Sequence, residues 1–196
     1  MGICFLIASC VWTGALLADK AQLRRELIRL HIVGASDSQV DQTLKLRVRD
    51  AVVASLEEGM ADVLDAEQAK AYLQENLPKI EEVANRVLEE YGSSDFAVAT
   101  LGMEEFTKRV YDTFTLPAGV YQALRITIGE GEGRNWWCVA FPSLCMPTTT
   151  EEFTDAASCA GLDEDVVAAL AGEADYEVRF FLLECIGRLE NFLYRG

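Results

Sequence analysis

The chain has little of what most catalytic and metal-binding sites require. Its 196 residues include one histidine, His31, and six cysteines, and no two cysteines have the close spacing that zinc sites use. A catalytic Cys-His pair would need His31 to meet a thiolate from elsewhere in the chain, with a third group to orient the ring. No local motif surrounds any of the thiols. The sequence therefore favours a protein that acts by binding, without a metal or a cofactor, over a small exported Cys-His hydrolase.

Basic residues are also scarce. The chain has 17 Lys and Arg against 32 Asp and Glu, which gives a formal net charge of −15. A polyanion would repel a protein of this charge before contact, so the composition excludes sequence-independent binding to nucleic acid. The exception is a basic strip at residues 20–49, where seven Lys and Arg accompany three acidic residues. The remaining charges are expected to lie on solvated helix faces.

Charge is absent from the first eighteen residues, MGICFLIASCVWTGALLA, and Asp19 and Lys20 follow at once. An uncharged run of this length is typical of an export or anchor segment. No Lys or Arg precedes the run, so we expect the natural start to lie upstream, where a basic region would complete a signal peptide. Residues Ile7 to Cys10 have the small-residue spacing of a lipoprotein cleavage box, which makes lipidation at Cys10 an alternative. A buried N-terminal helix is the third alternative.

Residues 19–196 contain no linker, repeat or low-complexity tract, and we predict that they form a single α+β domain. Two capping boxes predict the starts of helices: Ser36 with Gln39, and Asp65 with Gln68. The first of these helices should bury one face, which consists of Val40, Leu44, Val48, Val52 and Leu56.

Four segments have the apolar or alternating pattern of β-strands, at 27–33, 96–103, 121–129 and 136–141. The glycine-rich stretch at 129–133 is predicted to join the last two strands as a hairpin. A short helix near 163–171 and a long closing helix should follow, the latter carrying Phe180, Leu183, Ile186 and Leu189 on one face. We therefore expect a small, largely antiparallel sheet of about four strands, covered by helices.

Two stretches carry a more specific signal. They are RLHIVGASDSQVDQTLKLRVRD at 29–50 and LPAGVYQALRITIGEGEGRNWWCVAFPSLC at 116–145. Both resemble the signature segments of the stage II sporulation protein R family, and the order of elements and the overall length agree with that family. The chain departs from the family pattern at Gly34-Ala35, where the resemblance leads us to expect Ala-Asn. The resemblance implies a signalling protein that is not an enzyme.

The resemblance also implies a place of action and a partner. A protein of this family would be made in the forespore of an endospore-forming bacterium and exported into the space between the two membranes. There a membrane-embedded aspartic protease of the mother cell would need it in order to process the precursor of an early mother-cell sigma factor. The partner would be the extracytoplasmic part of the protease, and only the N-terminal segment would touch the membrane. A structural domain of the cell envelope is the remaining alternative. The candidate partner-binding residues, all within the two stretches, are His31, Ser36, Asp37, Arg47, Asp50, Asn135, Trp136 and Trp137.

Two adjacent tryptophans and two cysteines lie close together in RNWWCVAFPSLC, at 134–145. Adjacent residues of a strand face opposite sides, so either Trp136 or Trp137 should enter the core. The other ring should face outward as an anchor for a partner, or pack beneath residues 147–162. Cys138 and Cys145 are predicted to form a disulfide in an oxidising space, which would hold the outward ring in place. The alternative is that the four cysteines beyond the first segment are reduced, buried side chains.

Overall fold

The computed structural model describes residues 2–145, 149–172 and 177–195, with side chains for all of these except residues 2–13 and 177. Its elements, in chain order, are α1 (Gly2–Glu26), β1 (Ile28–Val33), α2 (Gln39–Gly59), α3 (Ala66–Glu90), β2 (Ala97–Phe106), β3 (Arg109–Val110), β4 (Thr115–Leu116), β5 (Gly119–Ile128), β6 (Asn135–Phe141), α4 (Thr150–Cys159), α5 (Glu164–Ala171) and α6 (Glu177–Tyr194). The predicted α+β class is confirmed, and each of the four predicted strands is present.

The main sheet has four strands in the order β2-β5-β1-β6. Strand β1 runs parallel to β5, with Leu30 opposite Leu124, and antiparallel to β6, with Leu30 opposite Cys138. The sheet is therefore mixed. All six residues of β1 are buried, because β1 lies between two other strands. A separate antiparallel pair joins β3 to β4.

The predicted hairpin between β5 and β6 is wrong, because β1 lies between these two strands. The glycine-rich loop at 129–133 instead bonds to the chain that leaves the end of β1. The Gly133 N–H donates a hydrogen bond to the Gly34 carbonyl at 2.9 Å. The sequence pattern does not distinguish the two arrangements, since a short glycine-rich loop can either join neighbouring strands or span one strand between them.

One compact unit consists of residues 27–103 and 122–146. Its core forms where α2 and α3 pack on each other and on β1. The core residues without exposed surface include Leu30, Ile32, Val48, Val52, Leu73, Ala84, Leu124 and Ile126. Each large side chain buried here contributes roughly 1.5–3 kcal/mol to the stability of the fold. The predicted core face of α2 is confirmed except at Val40, which lies exposed in the first turn of the helix.

The predicted capping box at Ser36 is wrong by two residues. The N-cap of α2 is Ser38, whose hydroxyl accepts a hydrogen bond from the Asp41 N–H at 3.1 Å. The Ser36 hydroxyl instead donates to the Asp41 carboxylate and accepts from the Ser38 N–H at 3.1 Å. The second predicted cap is confirmed, since the Asp65 carboxylate accepts from the Gln68 N–H at 2.8 Å and begins α3.

The second compact unit consists of residues 1–26, 104–121 and 147–196. Its core is aromatic: the rings of Phe114 and Phe153 stack with centres 4.6 Å apart, and Phe106 meets Tyr121 edge to face at 5.9 Å. Helix α4 was not predicted, although Thr149 and Glu152 form the capping box that begins it. The predicted helix at 163–171 is confirmed as α5.

Helix α1 runs without a break from Gly2 to Glu26, across the predicted boundary after residue 18. Its C-terminal part is held within its own unit, where Asp19 accepts two hydrogen bonds from Arg179, each of 2.8 Å. Among the described residues, no helix is long and apolar enough to cross a membrane. The Cys10 side chain lies outside the described residues, so lipidation there stays a prediction.

Candidate functional site

Two loops that are far apart in the sequence lie side by side, and together they form what we call the two-loop surface, residues 34–38 and 129–135. Three backbone hydrogen bonds join the loops. The Gly133 N–H donates to Gly34, the Glu132 N–H donates to Ala35 at 3.3 Å, and the Gly34 N–H donates to Arg134 at 3.5 Å. Each of the two resembling stretches supplies one of these loops, so the structure brings both into one surface.

Glycine is required at this surface because the backbones approach closely. A Cβ atom added at Gly133 would lie 2.3 Å from the Ser36 carbonyl oxygen and 2.8 Å from the Gly34 carbonyl oxygen. Gly129 and Gly131 have positive φ values of 57° and 68°, which other residues adopt only with strain. The close approach of the two loops therefore requires the glycines. The glutamates that alternate with them argue against a phosphate-binding role.

Charged side chains add further bonds between the loops. The Asp37 carboxylate accepts a hydrogen bond from the Arg134 N–H at 2.7 Å and lies 3.5 Å from the Arg134 guanidinium. On the other side, the buried ammonium of Lys45 donates to the Arg134 carbonyl at 2.8 Å and to Gln42 at 2.7 Å. Burial and the nearby guanidinium of Arg134 lower the pKa of Lys45. Arg134 thus connects the end of β1, helix α2 and the glycine-rich loop.

Three predicted site residues form one cluster beside the loops. The imidazole of His31 stacks on the ring of Trp137, with ring centres 3.7 Å apart and planes 16° from parallel. Its Nε2 is 2.8 Å from Oδ1 of Asn135, an exposed residue at the start of β6. His31 itself is 3% exposed. The ring of the single histidine therefore orients a half-buried tryptophan and an exposed amide at the edge of the sheet.

The remaining predicted residues lie on or against α2. The guanidinium of Arg49 lies 5.0 Å from the centre of the Trp136 ring and is also paired with Asp50 at 2.6 Å. Trp136 and Trp137 lie on opposite sides of β6, and each is half-buried, so neither ring is fully in the core. Arg47 also lies on α2, and its guanidinium donates a hydrogen bond to the Tyr91 hydroxyl at 2.7 Å.

The structure places the cysteine pair on the other face of the sheet from His31. Cys138 is opposite Leu30 in the register, whereas His31 is opposite Trp137, and paired residues share a face. A Cys138–His31 catalytic pair is therefore not formed. The thiols of Cys138 and Cys145 interact with each other instead. They are reduced in this structure, and the predicted disulfide stays a prediction.

Burial raises the pKa of the Cys145 thiol, and the neighbouring Cys138 thiol raises it further. A thiol with a raised pKa is a poor nucleophile at neutral pH. Cys159 and Cys185 belong to the second unit, where both are exposed. Within the described residues, no group of three or more His, Cys, Asp or Glu side chains could hold a metal ion.

Comparison with known proteins decides the family. The family model for stage II sporulation protein R matches residues 24–151, more than half of the chain. The stage II sporulation protein R of Bacillus subtilis (strain 168) is 32% identical, in an alignment that covers 84% of this chain and 81% of the relative. The chain belongs to the stage II sporulation protein R family. Its role therefore lies in sporulation. No solved structure matches the chain.

The two-loop surface lies wholly inside the region that the stage II sporulation protein R model matches, whereas α5 and α6 lie outside it. Sequence reasoning missed Lys45, Gln42 and Arg134 as parts of this surface. The first two lie one turn apart on α2, and no charge pattern distinguishes them from solvated residues. Arg134 contributes mainly through its backbone N–H and carbonyl, and the amino-acid sequence carries no signal for such contacts.

Proposed function

We propose that the protein is an exported sporulation signal that activates a membrane-embedded aspartic protease by binding the extracytoplasmic part of the protease. The activated protease then processes the precursor of a mother-cell sigma factor. The signal is made in the forespore and acts in the space between the two membranes. Membership of the family supports a role in sporulation, and the uncharged run at residues 1–18 supports export.

The observation that carries the proposal is the construction of the two-loop surface. Backbone hydrogen bonds fix both loops before any partner arrives, so binding would cost little additional ordering of the chain. The surface and its edge present half-buried tryptophans, an exposed amide at Asn135 and exposed charges at Asp37 and Arg134. Aromatic and arginine side chains commonly dominate the energy of protein interfaces. This combination suits recognition of a folded partner.

The contacts of His31 support binding in preference to chemistry. Its ring orients Asn135 and stacks on Trp137, and it lies on the face opposite the Cys138 thiol. The role of His31 is therefore to hold the side chains of Asn135 and Trp137 in place. In the proposed function it therefore contributes to the shape of the binding surface and has no part in proton transfer.

The test is co-expression of the full chain with the candidate protease and its precursor substrate in a non-sporulating host, followed by immunoblotting for the processed sigma factor. Asp37→Ala should lower the processed fraction at least several-fold, because it removes the carboxylate that holds Arg134. Asp62→Ala is the matched control, since Asp62 is an exposed aspartate of the same unit outside both loops. Equal processing by the wild type and a folded Asp37→Ala protein would contradict the proposal.

His31→Ala separates binding from chemistry in the same host. Loss of the hydrogen bond to Asn135 should lower the free energy of unfolding by about 1–3 kcal/mol, at the lower end because water can replace the bond at an exposed amide. Processing should fall only as far as the amount of folded protein that binds the protease falls. A His31→Ala protein that is folded and binds the protease normally, yet triggers no processing, would favour chemistry.

A further inference from the structure

Helix α6 exposes a continuous row of apolar side chains to solvent. We call this row the α6 stripe; it consists of Val178, Phe181, Cys185, Leu189 and Phe192, all of which are exposed. The intervals of three and four residues place all five on one side of the helix. The opposite side of α6 is buried at Leu183, Glu184, Gly187 and Asn191. The helix is therefore packed on its own unit through one face and carries a second, apolar face outward.

The α6 stripe is too small to hold two copies of the chain together. Over 14 intervals of 1.5 Å the stripe is about 21 Å long, and it is one helix wide. Such a surface buries roughly 200–400 Å² per copy, whereas stable interfaces bury about 800 Å² on each partner. A second copy is therefore a poor occupant. A fluid apolar phase sets no such minimum, since side chains can enter it individually.

Arginines border the α6 stripe, and they are far more exposed than their acidic partners. The side chain of Arg188 is 72% exposed and bonds to Glu184, which is 8% exposed. The side chain of Arg195 is 71% exposed and bonds to Glu105, which is 17% exposed. Seen from solvent, the border of the stripe is cationic, although the chain as a whole has a net charge of −15.

The arrangement differs from an ordinary ion pair on this protein. In α3 the pair Arg86 and Glu82 also has the spacing of one helical turn, yet both side chains are exposed, at 61% and 70%. That surface presents both signs of charge to solvent. Beside the C-terminal half of the stripe the arginines are exposed and their carboxylates are much less so, which is the pattern of helices that lie in the interface of an anionic membrane, with apolar residues on one face and Arg or Lys beside them. At the N-terminal end of α6 the exposure is reversed, since the side chain of Arg179 is 24% exposed and that of its partner Asp165 is 57% exposed.

A cavity of about 370 Å³ opens beside the stripe and is suited to a lipid headgroup. Its lining includes the cationic side chains of Lys108, Arg188 and Arg195, the carboxylates of Glu105 and Glu184 that pair with the two arginines, and the side chains of Asn191 and Phe192. Guanidinium groups retain further N–H donors when one carboxylate is bound, so these side chains can also bind a phosphate. The Oδ1 atom of Asn191 is buried without a hydrogen-bond partner in the described part of the chain.

We infer that the α6 stripe binds the surface of an anionic phospholipid membrane, with the apolar row at the level of the acyl chains and the bordering arginines at the phosphates. This contact is separate from the N-terminal apolar run, and it does not depend on the proposed activation of a protease. It would hold the second unit at a membrane surface whether or not residues 1–18 are retained.

Co-sedimentation of the full chain with vesicles tests the inference. The vesicles contain equal parts of phosphatidylglycerol and phosphatidylcholine, and a second set contains phosphatidylcholine alone. Leu189→Gln with Phe192→Gln should weaken binding to the anionic vesicles about tenfold, because two apolar side chains no longer enter the bilayer. The matched control is Leu64→Gln with Phe96→Gln, which alters equally exposed apolar residues of the other unit; Phe96 and Phe192 are both 75% exposed. Every variant retains residues 1–18, so their contribution is the same throughout.

The arginine border is tested by salt as well as by mutation. Binding of the wild type to anionic vesicles should weaken several-fold as sodium chloride is raised, whereas binding to phosphatidylcholine, which residues 1–18 can also support, should be weaker and should not depend on salt. Arg188→Gln with Arg195→Gln should remove the salt dependence, whereas Arg86→Gln should not. The salt titration needs no substitution, so it remains decisive if the double variant, which leaves Glu184 buried without its partner, fails to fold.

Two results would overturn the inference. One is equal vesicle binding by the wild type and a folded Leu189→Gln, Phe192→Gln variant. The other is a change of oligomeric state: if light scattering shows that the wild type is a dimer and that this variant is a monomer, the α6 stripe joins two copies instead. Neither result bears on the protease assay, so failure here is distinguishable from failure of the proposed function.

Discussion

The two compact units expose apolar side chains in different ways. In the unit that carries the two-loop surface, two partly exposed rings have polar partners that fix their orientation: Trp137 stacks on His31, and the Tyr91 ring has the guanidinium of Arg47 4.3 Å from its centre. In the other unit the α6 stripe is exposed as a row of side chains, and charged groups lie beside it rather than on it.

The difference teaches what kind of surface each unit can recognise. Rings held in one orientation, on loops joined by backbone hydrogen bonds, can match a partner of defined shape. A row of apolar side chains with an arginine border makes no such demand and suits a fluid surface. Substitutions in the two-loop surface should therefore lower signalling, and substitutions in the α6 stripe should lower membrane binding. A substitution that abolished both would break this division.

The largest effect is expected at Gly133. In Gly133→Ala, the added Cβ would lie 2.3 Å from the Ser36 carbonyl oxygen, so the two loops must separate. We expect the free energy of unfolding to fall by about 3 kcal/mol, as for other substitutions that overpack a rigid site, and sigma factor processing to be lost. Denaturant unfolding followed by circular dichroism measures the first, and the co-expression assay the second. Vesicle binding by the folded fraction should be unchanged.

Gly102→Ala is the matched control for this substitution. Gly102 lies in β2 of the same unit, and an added Cβ would meet no atom within 4 Å. Replacement of glycine by alanine within a strand should leave stability unchanged or raise it by a few tenths of a kcal/mol up to about 1 kcal/mol. If both variants lost the same stability, the close approach of the two loops would not be the cause.

The sequence predicts the helices and strands of this fold better than it predicts which strands pair with each other. Apolar runs or apolar alternation identify all four strands of the sheet, because these patterns are local to each strand. The position of β1 between β5 and β6 depends on which strands pair, and the glycine-rich loop satisfies either pairing. Similarly, Ser36 and Ser38 both have capping spacing, and only the hydrogen bond from the Asp41 N–H to the Ser38 hydroxyl shows that the helix begins two residues later.

The candidate site was predictable in part for the same reason. His31, Asn135 and Trp137 come from the two resembling stretches, and the register of β1 with β6 brings them into contact. The contribution of Lys45 could not be predicted, because its ammonium bonds to a backbone carbonyl 89 residues away. In α6 the apolar pattern groups Leu189 with Leu183, yet Leu183 is buried and Leu189 is exposed; periodicity identifies the apolar residues of a helix but not what covers them.

The next effect in size concerns Cys138 and Cys145, at the end of the strand that carries both tryptophans. If the protein is exported, as proposed, these thiols should be joined in the oxidising space, since each already influences its neighbour. The bond would close an eight-residue loop and stabilise the fold by about 2.5 kcal/mol from chain entropy. Mass spectrometry of the alkylated, non-reduced protein checks the bond, and unfolding with and without reductant checks its effect. Free thiols at both positions would refute the disulfide. Cys159 and Cys185, both exposed, should be alkylated in either case.

The smallest effect concerns Lys20, which is buried in one unit as Lys45 is in the other. Burial lowers the pKa of Lys20 to about 8, although the nearby Glu190 carboxylate opposes the change. Between this value and the ordinary pKa of about 10.4, the unfolded chain binds more protons than the folded chain, so stability rises with pH through this window and the gain is lost as pH falls below 8. From pH 7 to pH 9 we expect a gain of roughly 1 kcal/mol in the free energy of unfolding.

The control is Lys20→Met, which should lack this gain. The difference between the two proteins isolates Lys20, because Cys145, whose raised pKa makes stability fall as pH rises, is present in both. Parallel pH profiles for the wild type and Lys20→Met would show that the Lys20 ammonium is not the titrating group.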